Sequence, residues 1–438
     1  MKVLKFGGTS VGSATRMKDV AKLICDGNRK IVVLSAMSGT TNSLVEISDY
    51  FYKNNTSGAL EKINALEQKY HVTADELFAT DKYKKECTAI IKSHFDYIRA
   101  FSKSVFTLFE EKAILAQGEL LSTSMFQLYL YEMGVKSALL PALEYMRIDK
   151  NAEPNTAYIA EHLAKQLEKH PDVEIYITQG YICRNFYGEI DNLQRGGSDY
   201  TASLIGAALN SEEIQIWTDI DGFHNNDPRF VENTQVIREL SFDEAAELAY
   251  FGAKILHPST INPAREKNIP VRLKNTLNHK DIGTLITENC TFEDYKAVAA
   301  KDGISVIRMH SARMLMAYGF LRKVFEIFES YKTPIDMIAT SEVSVSITID
   351  NPKHINEIAS ELKELGTVEI EQNQTIICIV GDFRPERKGS APEIFEALNM
   401  IPIKMISYGG SPLSISILID TTNKIEALKQ LSKHLFKL

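Results

Sequence analysis

The chain has 438 residues, more than one hydrophobic core usually serves, so two or three domains are expected. Apolar residues make up 44% and charged residues 24%, the balance of an ordinary soluble globular protein. The net charge of -8 argues against a nucleic-acid binder held by phosphate neutralisation, but leaves room for a basic pocket inside an acidic surface.

The five cysteines, Cys25, Cys87, Cys183, Cys290 and Cys378, are scattered, odd in number and free of any CxxC pair. Neither a disulfide framework nor a protein metal site is expected, and a reducing cytoplasm fits. The opening apolar run is too short for a signal peptide. No stretch approaches ~18 uninterrupted apolar residues, so no membrane span is expected.

In chain order, residues 2–6 (KVLKF) and 31–34 (IVVL) are short apolar runs, each ending in a Gly/Ser/Thr loop before a helical pattern. That is the rhythm of strand–loop–helix units. Residues 51–115 carry Lys, Glu and Leu at helical spacing and read as a helical insertion. Strand-like runs return at 137–140, 174–178 and 214–218. The alternation predicts an α/β domain, a mostly parallel sheet covered by helices. From about 297 the chain repeats loosely: 325–338 resembles 395–406, and 344–350 (SVSITID) resembles 414–420 (SISILID). An internal duplication of a small α+β unit is the simplest account.

Six segments have the makings of a phosphate or amino-acid site. Lys5-Phe6-Gly7-Gly8-Thr9-Ser10 follows the first strand; its glycines can turn backbone N–H groups toward an anion, and Lys5 can place an ammonium beside a phosphoryl group. It is neither a Walker loop nor a GxGxxG, and a tight structural turn is the competing reading. Ser35 to Asn42 supplies hydroxyls and a glycine after the second strand, where ligands of open α/β sheets collect, although a Ser/Thr helix cap reads the same way. Glu119, in GELLS at 118–122, can hold an ammonium or simply favour a helix start.

Arg195-Gly196-Gly197-Ser198-Asp199 combines a planar cation, close backbone approach and an acid, which suits a zwitterion or a phosphate. Trp217 to Gly222 and Asp227-Pro228-Arg229 set acids and an arginine at a strand end, in residues that are also ordinary turn formers. Phe251 to Pro258 offers Lys254 as a second phosphate contact; His257 lacks metal-ligand spacing.

Together and in this order, these segments closely resemble the aspartate kinase family of the amino-acid-kinase fold. The match comprises KFGGTS at 5–10, SAMSGTTN at 35–42, GELLS at 118–122, RGGSDYTA at 195–202, WTDIDG at 217–222 and FGAKILHP at 251–258, and spans nearly the whole chain. The resemblance implies transfer of the γ-phosphoryl of ATP to the side-chain carboxylate of L-aspartate. Lys5 would neutralise the transferred group and Asp199 would organise the cations. Gly7 and Gly8 would line the phosphate path. Ser35, Thr41, Glu119, Arg195, Gly196, Gly197 and Ser198 would hold aspartate, with Arg195 on its α-carboxylate and Glu119 near its ammonium. Thr218, Asp219, His224, Arg229, Lys254 and Ile255 would border ATP. Mg²⁺ would arrive with the nucleotide, chiefly through its phosphates. Three positions depart from the family pattern: Gln194 and Cys183 stand where glycine is usual, and His224 where tyrosine is common.

The repeated half resembles tandem ACT domains, small βαββαβ modules that bind amino acids. The resemblance places the catalytic domain at 1–290, a first ACT module at 311–381, and a second built from 297–310 plus 382–438. Met314 to Glu342 is most similar to lysine-sensitive members. Met314, Ala317, Phe320, Leu321, Ile335, Asp336, Ser341 and Glu342 would form the effector site. L-lysine is the expected feedback inhibitor and a homodimer or higher homo-oligomer through the ACT modules the expected assembly; Ala317 stands where serine is frequent. The rival readings are another carboxylate kinase of the fold, such as a glutamate kinase, and a non-catalytic amino-acid sensor.

Overall fold

The computed structural model describes residues 1–437 apart from 104, 194–195, 253–255, 292–293 and 316–317. Two compact units emerge: residues 1–222 with 256–289, and residues 223–255 with 290–438.

The first unit opens with β1 (Lys2–Phe6), α1 (Ala14–Ile24) and β2 (Lys30–Leu34). The helices α2 (Thr40–Tyr52), α3 (Thr56–Leu77), α4 (Asp81–Ala100), α5 (Leu108–Leu115) and α6 (Gln117–Glu132) follow. Next come β3 (Ser137–Leu140), α7 (Ala142–Tyr145), α8 (Thr156–Glu168), β4 (Ile175–Gln179), the hairpin β5 (Ile182–Arg184) and β6 (Ile190–Asn192), α9 (Gly197–Leu209) and β7 (Ile214–Thr218). Its strands β2 and β4 are buried at every position, as expected of parallel strands covered on both faces.

The sheet order is β3-β4-β2-β1-β7, continued by strands later in the chain. Within this run every neighbouring pair is parallel. The chain leaves β1 toward β2 on one side, while β7 flanks β1 on the other. The carboxyl end of β1 is therefore a topological switch point, the place where open sheets of this kind leave a crevice.

The insertion is helical as its pattern predicts. Along α3, Ala59, Ile63, Leu66, Tyr70, Ala74 and Leu77 recur at steps of three and four, and are buried in one core with Phe95 and Ile98 of α4. Asn55 caps α3 by accepting from Gly58 N at 3.0 Å.

The second unit takes in β8 (Glu239–Leu240) and α10 (Phe242–Tyr250) before the chain returns to the first unit for α11 (Asn262–Glu266), β9 (Val271–Asn275) and β10 (Thr284–Ile286). There β9 extends the sheet parallel to β7, and β10 runs antiparallel to β9. The chain then re-enters the second unit with β11 (Tyr295–His310), α12 (Phe320–Ser330), β12 (Ile338–Thr340), β13 (Ser344–Ile349), α13 (Ile355–Leu362), β14 (Thr367–Gly381), α14 (Ser390–Ala397), β15 (Ile403–Ser407), β16 (Ser414–Asp420) and α15 (Lys424–Leu431).

These strands form one antiparallel sheet in the order β12-β13-β11-β14-β16-β15. The order reads alike from either edge: the repeated segments supply the outer pairs β12–β13 and β15–β16, and two long strands fill the centre. Within β11, residues 304–310 pair with both β13 and the first half of β14, while 295–301 pair with the second half of β14. A register shift between Lys301 and Ile304 separates the halves. Residues 304–310 thus lie in the sheet beside the N-terminal repeat.

Residues 223–255 pack in the second unit. The reasons are long-range contacts. Val298 N donates to Asn225 O at 2.9 Å, Asn226 Nδ2 donates to Leu428 O at 3.0 Å, and Val231 joins the core of Ile377, Ile417 and Leu428. A buried ion pair holds α10: Lys296 Nζ lies 2.9 Å from Glu244 Oε2, each side chain 1% exposed. Glu244 also closes a capping box with Ser241. Removing one partner of such a pair strands a buried charge, at a cost of roughly 3–5 kcal/mol. Lys296→Met is therefore expected to lower the stability of the second unit by about that much in urea unfolding. The double variant Lys296→Met with Glu244→Leu should recover most of the loss.

Candidate active site

Because the central strands are parallel, the loops after β1, β2, β4 and β7 meet along one edge of the sheet. Backbone hydrogen bonds fasten them together there. Gly7 N donates to Trp217 O at 3.2 Å, Ser35 N to Phe6 O at 3.2 Å, Ser38 N to Gly8 O at 3.2 Å and Gly180 N to Leu34 O at 2.9 Å. Between them lies a cleft of about 510 Å³. Its walls include Gly7 and Gly8 after β1, Ser35 to Gly39 after β2, Thr41 in the first turn of α2, Glu119 in the first turn of α6, Gly197 and Ser198 at the start of α9, and Thr218 and Asp219 at the end of β7.

Lys5 and Asp199 meet beside this cleft, with Nζ 2.7 Å from Oδ1 and both side chains mostly buried. A Cβ on Gly7 would touch Lys5 Nζ, so the ammonium stands next to the glycine turn. Ser35 Oγ donates to Ser198 Oγ at 2.9 Å, tying the β2 loop to the start of α9. Gly196, the residue before that helix, has φ 68°, and a Cβ there would strike Thr260; only glycine fits.

Glu119 is 4% exposed. Its Oε1 accepts from Ala36 N at 3.1 Å, while Oε2 is buried and meets no donor among the described residues. Burial pushes its carboxyl up to about 8, an effect the Ala36 N–H offsets only in part.

One cleft residue escaped the sequence reading. Tyr181 lines the wall with φ 67°, rare for a bulky side chain, and its N–H donates to Thr201 Oγ1 at 2.9 Å. Its signal was positional: it follows Gly180 directly at the carboxyl end of β4.

The other expected residues are placed as follows. Arg195, Lys254 and Ile255, with Gln194, lie outside the described residues. His224 and Arg229 fall in the second unit. There His224 Nδ1 lies 2.9 Å from Thr234 Oγ1, and Arg229 is gripped by Asp227 through Nε at 2.9 Å and Nη2 at 2.6 Å. Among the effector residues, Ala317 lies outside the described residues. Phe320 belongs to the core under α12, with Met314, Leu321 and Ile335 packed against it. Ser341 and Glu342 are exposed, whereas the Asp336 side chain is 2% exposed. Among the described residues no group of three or more His, Cys, Asp or Glu is arranged to hold a metal ion.

Glu119 carries a stability signature. Its folded pKa lies above the unfolded value of 4.5, so the ligand-free fold loses stability as pH rises from there toward about 8. Glu119→Gln removes that loss. Its melting temperature is expected to exceed wild type by on the order of 10 °C at pH 8.5 and to match it near pH 4.5. A gap of the same size at both pH values would refute the assignment.

Comparison with known proteins matches the cleft's surroundings throughout. The amino acid kinase family matches residues 1–275, and an ACT domain matches residues 377–435. Aspartokinase 2, chloroplastic, of Arabidopsis thaliana is 34% identical over 471 residues, covering 99% of this chain and 84% of that protein. The crystal structure of E. coli aspartokinase III with aspartate and ADP, in its R-state, superposes with a TM-score of 0.84 at 31% identity and full coverage of both chains. The same enzyme with lysine and aspartate, in its T-state, gives 0.82 at 31% identity, covering 100% of this chain and 99% of that one. The chain belongs to the amino acid kinase family and, within it, to the aspartokinases.

Proposed function

We propose that the cleft of the first unit transfers the γ-phosphoryl of ATP to the β-carboxylate of L-aspartate, giving 4-phospho-L-aspartate, the first step toward lysine, threonine and methionine. One observation carries the reading. A buried carboxylate with one unpartnered oxygen, Glu119, shares a cleft with a glycine turn, and a lysine ammonium stands beside that turn. Such a site suits a small molecule with an ammonium at one end and a phosphoryl acceptor at the other.

In this reading Glu119 takes the aspartate ammonium, and the hydroxyls of Ser35, Thr41 and Ser198 with the backbone of Gly196 and Gly197 fix its position. Arg195 takes the α-carboxylate. The acceptor carboxylate is already ionised near neutral pH, so no protein base is needed. The work is alignment and charge stabilisation of an in-line transfer. Lys5 neutralises the moving phosphoryl group, and Asp199 holds its ammonium in place before the nucleotide arrives. Gly7 and Gly8 present backbone N–H groups to the phosphates, while Thr218 and Asp219 border the nucleotide. Mg²⁺ arriving with ATP supplies further neutralisation of the phosphates. Asp219 in the cleft wall and Asp199 beside the cleft are carboxylates that would suit it, since one or two suffice on the protein side.

The second unit reads as the sensor, with L-lysine as effector at Asp336 and Glu342. Its outer strands β12 and β15 end the sheet with no further strand partner among the described residues, and such edges suit pairing with a second copy, giving a homodimer. Among the described residues no helix is long and apolar enough to cross a membrane, and a cytoplasmic enzyme fits the reading.

Trapping the acyl phosphate with hydroxylamine, with aspartate and glutamate supplied in turn, tests the reaction. Product from glutamate rather than aspartate would favour the rival carboxylate kinase, and effector binding without ATP turnover the sensor. Lys5→Ala is expected to cut kcat on the order of 10²–10³-fold while moving the aspartate KM little. Equal losses in both would count against the role of Lys5. Because Glu119 must be ionised to take an ammonium, the aspartate KM should climb about tenfold per unit as pH falls below about 8, with a flat profile in Glu119→Gln.

A further inference from the structure

Asp336 is the most buried acid of the expected effector site, and it is already engaged from within the chain. Its Oδ1 accepts from Lys301 Nζ at 2.8 Å and from Tyr250 OH at 2.8 Å. Lys301 Nζ also lies 2.9 Å from Asp350 Oδ2 and 4.2 Å from the centre of the Tyr250 ring. The second carboxylate oxygen, Asp336 Oδ2, is buried and has no hydrogen-bond partner among the described residues. A buried carboxylate with one oxygen unfilled calls for a further donor, because lost hydration is costly when unreplaced.

The position of Tyr250 gives this cluster its reach. Tyr250 is the last residue of α10, and Phe251-Gly252 follows it directly. Gly252 has φ 134°, and a Cβ there would collide with the carbonyl oxygen of Ala300, the residue before Lys301. The end of α10 therefore rests on the backbone of β11 at the point where Lys301 projects. Lys301 itself stands at the register shift between the two halves of that strand. The residues that hold Asp336 are thus the same ones that seat the start of the 251–258 segment.

We infer that Lys301 is an internal occupant of the effector's ammonium subsite, and that Tyr250 is the residue through which filling of that subsite is felt at the 251–258 segment. An incoming amino-acid ammonium binds Asp336 Oδ2, draws the carboxylate away from Tyr250 and Lys301, and frees the end of α10 from β11. The Tyr250–Asp336 bond belongs to the effector-free state alone. A ligand shifts an equilibrium only through such differential contacts. This inference rests on the lysine-effector reading given above and adds the route by which it acts.

The test measures inhibition of ATP-dependent hydroxamate formation by L-lysine in wild type, Tyr250→Phe and Lys301→Met. Loss of the Tyr250 hydroxyl removes a bond that opposes the effector, so the lysine inhibition constant in Tyr250→Phe is expected to fall about tenfold, as for one hydrogen bond to a charged group. Lys301→Met, which removes the internal competitor, should lower it as well. Hydrogen–deuterium exchange gives a readout independent of turnover. Lysine should speed exchange in the peptide covering 250–258 of the wild type, and Tyr250→Phe should show that faster exchange without lysine. A wild-type enzyme inhibited by lysine, with both variants keeping its inhibition constant, overturns this inference alone. A wild-type enzyme that millimolar lysine neither inhibits nor binds overturns the effector reading and this inference together. Should Lys301→Met fail to fold, Tyr250→Phe decides the matter, since it removes a single oxygen.

Discussion

Burying a carboxylate with half of its hydrogen-bonding capacity unfilled destabilises a fold, and this chain does it at two places named as amino-acid contacts. Glu119 in the first unit and Asp336 in the second each have one oxygen paired and the other shut away from water without a donor. Native proteins satisfy nearly all such groups, so an exception in each unit calls for an explanation. Recognition of an α-amino acid supplies one. An ammonium offers three donors, and a carboxylate already stripped of water gains more from it than a hydrated one does. The two sites differ in how they wait. Glu119 has the Ala36 N–H and its own backbone N–H beside it, and burial drives it toward the neutral form. Asp336 has a lysine of the same chain beside it.

The catalytic cleft owes its geometry to the sheet rather than to any one loop. Parallel strands deliver their carboxyl ends to one edge, and the split at β1 opens a gap there. The loops of β1, β2, β4 and β7 then need only short reaches to meet. The Lys5–Asp199 pair shows the result: the first strand and the ninth helix are far apart in sequence, yet they place opposite charges 2.7 Å apart. That pairing holds a mostly buried ammonium stationary. A cation held in place before the reaction needs little reorganisation when charge develops, and for that reason preorganised groups stabilise a transition state better than water does.

The strands at 2–6, 137–140 and 214–218 were legible because fully buried parallel strands are short apolar runs bounded by loop residues, and the helical insertion because its apolar positions recur at three and four. The order of the site segments was legible through resemblance, and the cleft gathers Gly7, Ser35, Thr41, Glu119, Ser198 and Asp219 from it. What escaped has no local signature. Tyr181 adopts a left-handed backbone that no periodicity marks. The membership of 223–255 in the second unit depends on Glu244 meeting Lys296 and Asn226 meeting Leu428, partners far along the chain. The division of β11 between two repeats depends on a register shift at residues 301–304, which reads in sequence as an ordinary Asp-Gly turn.

That strand also bears on how a sensing half can address a catalytic half. Residues 304–310 of β11 stand in the sheet beside the first repeat, and 295–301 beside the second. The 295–301 stretch carries both lysines that hold α10: Lys296 at its first turn through Glu244, and Lys301 at its last residue through the Tyr250 ring and the shared Asp336. A strand held in a ladder to β14 resists bending, so its side-chain partners are where a change can be accommodated. The Lys296–Glu244 pair is sealed at 1% exposure, whereas the Lys301 cluster keeps an unfilled oxygen. Of the two attachments of α10, the second is the one with a vacancy for a ligand to fill, and it lies at the end from which the chain continues into FGAKILHP. Regulation through this helix therefore has a fixed end and a releasable one, an asymmetry set by two lysines five residues apart on one strand.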